Sequence, residues 1–144
     1  MANQDTVRLL RECDAGIKMG VSSIDQCMEK VHSPKLVEIL NANKDRHSRI
    51  GSEIHKLINE AHDEEKEPNI MAKGMSWMKT EVMLAMDKND ATIADLITDG
   101  CHMGIKSLNK YLNQYKDASP EAQEMTKKVI KLEEDLAEEI KCFL

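Results

Sequence analysis

The stretch Pro34–Ala61 constrains this chain more than any other. Leu36, Leu40, Asn43, His47, Ile50, Ile54, Leu57 and Ala61 alternate steps of four and three, which at about 100° per residue lays them in one seam along a helix. A seam of that length must lie against other helices, yet two of its members, Asn43 and His47, are polar. A buried polar group costs free energy unless it is hydrogen-bonded. A mid-helix imidazole facing a bundle core is therefore the first place to look for a site.

Comparable periodicity recurs on either side. Val7, Leu10, Asp14, Ile17, Val21, Ile24, Met28 and Val31 form one seam with Asp14 as its odd member. Gly16 and Gly20 each weaken that helix by about 1 kcal/mol against alanine, so they are expected to mark a close approach by a neighbour. Ile93, Ile97, Gly100, Gly104, Leu108 and Tyr111 form a third seam, and Ala122, Met125, Val129, Leu132, Leu136, Ile140 and Phe143 a fourth. Asn3 or Asp5, Ser33-Pro34, the break Asp87-Lys88-Asn89-Asp90 and Ser119-Pro120 supply cap and first-turn chemistry at the starts. The expected helices are 6–31, 34–62, 70–86, 90–115 and 120–142.

The four long segments are each roughly 40 Å at about 1.5 Å per residue, and equal rods are what a four-helix bundle requires. The short turn at His32-Ser33 forces an antiparallel pair. About 28 residues separate the second long helix from the third, enough for the chain to cross the bundle and re-enter parallel to the second, as ferritin-like folds do. The reading is an all-α, ferritin-like four-helix bundle with an additional crossover helix, forming one domain over 1–144. A plain up-down bundle, with 70–86 and 90–115 as one kinked helix, is the alternative. In 70–86, Met71, Met75, Met78 and Val82 make one stripe. Ile70, Trp77 and Leu84, spaced by seven, make a second, which either covers the end of the core or forms an interface between subunits.

Composition narrows the partners. The net charge of −6 in 144 residues is spread along the chain with no basic stripe, and aromatic residues make up 3%, which argues against nucleic acid. No apolar run approaches the roughly 20 residues of a membrane helix, and the first residues lack the order of a signal peptide. Cys13, Cys27, Cys101 and Cys142 lie far apart with no C-x-x-C spacing, which fits reduced thiols in the cytoplasm and excludes a zinc ribbon.

The runs SPKLVEILNANKDRHSRIGSEIHKLI, WMKTEVMLAMDKNDATIADLITDGCHMGIKSLNKYL and LLRECDAGIKMGVSSI together resemble an uncharacterised, domain-of-unknown-function branch of the ferritin-like superfamily. The resemblance spans nearly the whole chain. It implies a ferritin-like bundle and carries no activity with it.

Ferritin-like oxidases and iron stores place a Glu from each of two helices and a Glu-x-x-His from each of the other two around their metals. This chain departs from that set. The second long helix reads Lys44-Asp45-Arg46-His47, with lysine where the bridging glutamate belongs. The last offers Glu133, Glu134, Asp135 and Glu138 but no histidine, and the third reads Asp99-Gly100-Cys101-His102, with Cys101 at the core edge and His102 toward water.

Counting from the turns puts Ile17, Cys101 and Glu133 near the height of His47, with Asp14 one turn away. His47 with Asp14, Glu133 or Cys101 is the minimum for a single transition metal or a proton-transfer pair. The competing reading is that Asp14, Asn43 and His47 satisfy one another in a polar core layer that fixes helix register. Met75-x-x-Met78 and Met83-x-x-Met86 read as core filler rather than a copper clamp, and Cys101 as packing rather than a redox sensor. No catalytic set emerges and no cofactor is expected beyond such a metal. Three functions follow: association with itself or another protein, a divergent metalloprotein centred on His47, and a thiol sensor at Cys101.

Overall fold

Each long helix starts on a side-chain oxygen that caps its third backbone N–H. The computed structural model describes residues 3–61 and 89–144. Its long helices are α1 (Gln4–Met28), α2 (Pro34–Glu60), α3 (Asp90–Gln114) and α4 (Pro120–Ile140), followed by a 3-10 turn at Lys141–Phe143. Asn3 Oδ1 accepts from the Thr6 N–H at 2.8 Å and Asn89 Oδ1 from the Thr92 N–H at 2.8 Å. Ser33 Oγ and Ser119 Oγ accept from the Leu36 and Ala122 N–H groups at 3.3 and 3.2 Å. Pro34 and Pro120 sit in the first turn, where a missing N–H removes no intrahelical bond. α1 ends three residues before the expected 31, because the Lys30 and Val31 N–H groups turn back to the Cys27 and Met28 carbonyls at 2.9 and 3.3 Å. The expected helix 70–86 and its stripe of Ile70, Trp77 and Leu84 lie outside the described residues.

Cross-chain bonds fix the directions. Asn3 Nδ2 donates to the Asp117 carbonyl at 2.6 Å, the Ser119 N–H donates to Thr6 Oγ1 at 2.8 Å, and Cys13 Sγ meets Thr126 Oγ1 at 3.2 Å. α1 and α4 therefore run parallel. Arg46 binds Glu139 at 3.1 Å while Lys128 faces Glu53 at 3.8 Å, so α2 and α4 are antiparallel. The Asp90 carboxylate, in the first turn of α3 where the helix dipole favours an anion, accepts the His32 and Ser33 N–H groups at 2.8 and 2.9 Å. The α1–α2 turn and the start of α3 thus share one end of the bundle. α2 and α3 run in the same direction, and α2 ends at the opposite end from where α3 begins.

α1 packs on all three other helices, α4 on α1, α2 and α3, and α2 and α3 occupy opposite corners. The apolar core falls into two clusters. One gathers Leu9, Leu10, Ile17, Ile54, Leu108, Val129 and Leu132, and the other Ile24, Leu36, Leu40, Ile93, Ile97, Leu136 and Ile140. Between them lies a polar layer at mid-bundle. Among the described residues there is no strand, and no helix is long and apolar enough to cross a membrane.

Candidate functional site

The polar layer is built around His47, which α2 delivers to the bundle centre with no exposed surface. Its Nδ1 lies 2.7 Å from the Asn43 carbonyl oxygen. A carbonyl carries no proton, so Nδ1 is the donor and the ring's tautomer is set. Nε2 then points at Glu133 Oε1 of α4, 3.0 Å away. A neutral imidazole protonated at Nδ1 presents a lone pair there, and a carboxylate is acceptor-only. The bond forms only if one more proton lies between them, as imidazolium with carboxylate or as imidazole with carboxylic acid. This buried pair therefore binds two protons in total, one on Nδ1 and one shared.

Cys101 of α3 completes the layer. Its thiol hydrogen-bonds the Glu133 carboxylate, and burial first, then that neighbouring acid, pushes its titration far up. Burial also raises Cys27 from 9.0 to about 11 and Cys13 to about 12, the latter aided by adjacent Glu12 and Asp14. Cys142 is exposed. Since the thiolate is the nucleophile, labelling at neutral pH is expected to reach Cys142 and spare the other three.

Two glycines of α1, four residues apart, meet opposite surroundings. A Cβ on Gly20 would stand 2.8 Å from both Cδ2 and Nε2 of His47. The ring cannot move aside, being held at both nitrogens. A Cβ on Gly16 meets nothing within 4 Å. Gly16→Ala is accordingly expected to stabilise the protein by about 1 kcal/mol through helix propensity. Gly20→Ala is expected to lose about 1–3 kcal/mol to overpacking despite the same gain. Chemical denaturation of the two variants checks the sign reversal. Sequence alone expected close approach at both, and Gly16 is the correction.

The other expected residues go elsewhere. Asp14 is buried but turns toward Lys18 at 3.0 Å and His55 at 3.1 Å, the latter without hydrogen-bond alignment, so Asp14 does not join His47. Asn43 gives His47 its backbone carbonyl, while its side-chain amide donates to Glu139 at 2.7 Å and to the Ile39 carbonyl at 2.9 Å. The three do not satisfy one another as a closed layer. Lys44 pairs with Asp25 away from the centre. Asp99, His102, Glu134 and Glu138 are exposed. Glu133 is thus the one residue of the inward carboxylate set that reaches the centre. Ile17, expected level with His47, instead lies against Gly51, and Gly20 occupies that level.

These residues do not fit a di-iron centre. Among the described residues no group of three or more His, Cys, Asp or Glu side chains is arranged to hold a metal ion. No family model, curated protein or solved structure matches this chain.

Proposed function

We propose that this chain is a ferritin-like bundle that acts by association, with itself or with another protein, and does not run di-iron chemistry. The observation that carries the rejection of di-iron chemistry is that the His47 ring and the Cys101 thiol each turn to the Glu133 carboxylate, and among the described residues no metal-holding group of three or more His, Cys, Asp or Glu side chains forms around them. The ferritin-like assignment is supported by parallel α2 and α3, since a crossover requires that pair to share a direction. Association is supported by the seven-residue spacing of Ile70, Trp77 and Leu84 in the sequence. Sedimentation equilibrium on the wild type and on Trp77→Ser tests it: an oligomer that the substitution dissociates is expected. A wild type that stays monomeric at high micromolar concentration, with no partner retained, would reject it.

A second reading keeps a specific observation in its favour. Metal-binding histidines commonly donate one ring N–H to a carbonyl or carboxylate, which fixes the other nitrogen on the metal, and His47 has that arrangement. The His47–Glu133 separation would then become the bite of two ligands on one ion. Metal analysis of protein purified without chelator decides the matter: stoichiometric metal that His47→Ala removes would favour this reading. The thiol-sensor reading is opposed by the burial and acid neighbour of Cys101, both of which hold it as the unreactive thiol.

A further inference from the structure

Between α1 and α3 runs a cavity of about 160 Å³ whose middle is walled by glycines, Gly16 and Gly20 from α1 and Gly100 and Gly104 from α3. Gly20 and Gly104 share a level, since a Cβ on the first would lie 3.8 Å and on the second 3.7 Å from the Glu133 side chain. The α1–α2 turn meets the start of α3, so α1 and α3 are antiparallel. Ser23 therefore lies toward Gly100, and Glu12 toward Leu108 and Tyr111. Ser107 and Met103 are exposed at the rim, and the Ser23 end is closed by buried Ile24, Ile97 and Leu136. At that closed end Ser23 is only 5% exposed, and its Oγ is buried without a hydrogen-bond partner. Among the described residues it is the one side-chain oxygen of the wall in that state. A buried hydroxyl left unpaired costs free energy, and a hydroxyl arriving with a ligand would remove that cost.

We propose that this cavity binds a small neutral alcohol, a hydroxyl on an apolar body of about five carbons, the size set by the benzene that a comparable engineered cavity of roughly 150 Å³ accepts. The ligand hydroxyl pairs with Ser23 Oγ, which can donate or accept. The alkyl chain passes between Gly20 and Gly104 and ends beside Gly16, about 10 Å from Ser23 along α1 at about 1.5 Å per residue. A Cβ at Gly16 meets nothing within 4 Å, so the tail has room there. Charged head groups fit less well. At the Ser23 end a charge would be desolvated among Ile24, Ile97 and Leu136 with no counter-ion. At the other end the Glu12 carboxylate repels an anion, and no Lys, Arg or His lines the wall to offset it.

Calorimetric titration and amide NMR of the wild-type chain with n-pentanol, benzene, n-pentylamine and pentanoate at neutral pH test the proposal. Pentanol is expected to bind more tightly than the amine or the acid and to shift the amide signals of Gly16, Gly20, Gly100 and Gly104. Ser23→Ala removes the oxygen and keeps the space. It should weaken pentanol at least about 5-fold, the low end of the cost of leaving a buried hydroxyl unpaired, while benzene, which has no hydroxyl, stays within about 2-fold, less than one hydrogen bond is worth. Absence of pentanol binding, binding that leaves the four glycine signals in place, tighter binding of pentylamine or pentanoate, or a Ser23→Ala variant that holds pentanol as well as the wild type or loses benzene equally would each overturn it.

Discussion

Glu133→Leu is expected to destabilise the bundle by about 3–5 kcal/mol, while His47→Leu combined with Glu133→Leu returns most of that loss. The asymmetry follows from the proton count in the centre. Removing Glu133 alone leaves His47 Nε2 facing an apolar wall, removes the acceptor of the Cys101 thiol, and leaves the ring still pinned by the Asn43 carbonyl at 2.7 Å. Removing both partners leaves no buried charge or unpaired ring nitrogen, and the two flanking apolar clusters can then merge. Buried pairs replaced whole by hydrophobic residues are commonly neutral or stabilising. Glu133→Gln adds a finer test. The amide N–H can donate to Nε2 of the neutral ring while its carbonyl accepts from Cys101, so this variant is expected to stay within about 1–2 kcal/mol of the wild type, the scale of one exchanged hydrogen bond. Urea denaturation of the singles and the double gives the coupling energy directly. A Glu133→Leu loss under about 1 kcal/mol, below the usual cost of an unsatisfied buried group, would show that the pair does not hold the centre together.

Helix boundaries were the most legible part of the sequence because their signals are local. Ser33-Pro34, Asn89-Asp90 and Ser119-Pro120 set the starts within the chain itself, and each start is where those residues place it. His47 was legible because a seam of period 3.6 leaves it no way out of the core. Counting along helices from the turns brought His47, Cys101 and Glu133 to one height, and the structure joins them by hydrogen bonds. The same counting placed Ile17 where Gly20 lies, an error of one helical turn. Counting gives axial height only to within about a turn, because a residue count does not fix how far the connecting turn travels along the axis, and it says nothing of how closely two helices approach; Gly20 lets α1 come down onto the imidazole. Asp14 was misdirected for a related reason. A single seam assumes one contact face, whereas α1 meets three helices and buries a wider arc that includes Leu9, Cys13 and Cys27. On so broad a face Asp14 lies at the α2 side, within reach of His55, rather than over the centre. The cavity left no periodic signal, since Gly16 and Gly20 are identical in sequence and differ only in what stands opposite.

Stability is expected to fall steeply above pH 9, by about 4 kcal/mol per pH unit, because three core thiols stay protonated in the fold. The sign follows from proton counts. In the unfolded chain Cys13, Cys27 and Cys101 titrate near the ordinary value of 9.0, whereas in the fold Cys27 rises to about 11, Cys13 to about 12 and Cys101 higher still. Below pH 9 both states carry the thiol protons and no dependence arises from them. Above it the unfolded state releases protons the fold retains, so each thiol contributes a loss of about 1.4 kcal/mol per unit. That slope persists until the folded value is reached, near 11 for Cys27 and near 12 for Cys13. Over the first two units the sum is about 6 kcal/mol, since the unfolded thiols are only half ionised at pH 9 and Cys27 begins to ionise in the fold near 11, a loss comparable to the whole stability of a domain this size, so the protein is expected to unfold near pH 11. Lysines and tyrosines titrate in the same range, and Cys27→Ala separates the contributions. Its stability at pH 7 is lower, yet its alkaline slope should be shallower by about 1.4 kcal/mol per unit. Urea denaturation at intervals from pH 7 to 10 measures both slopes, and equal slopes in the two proteins would refute a thiol origin for the alkaline limit.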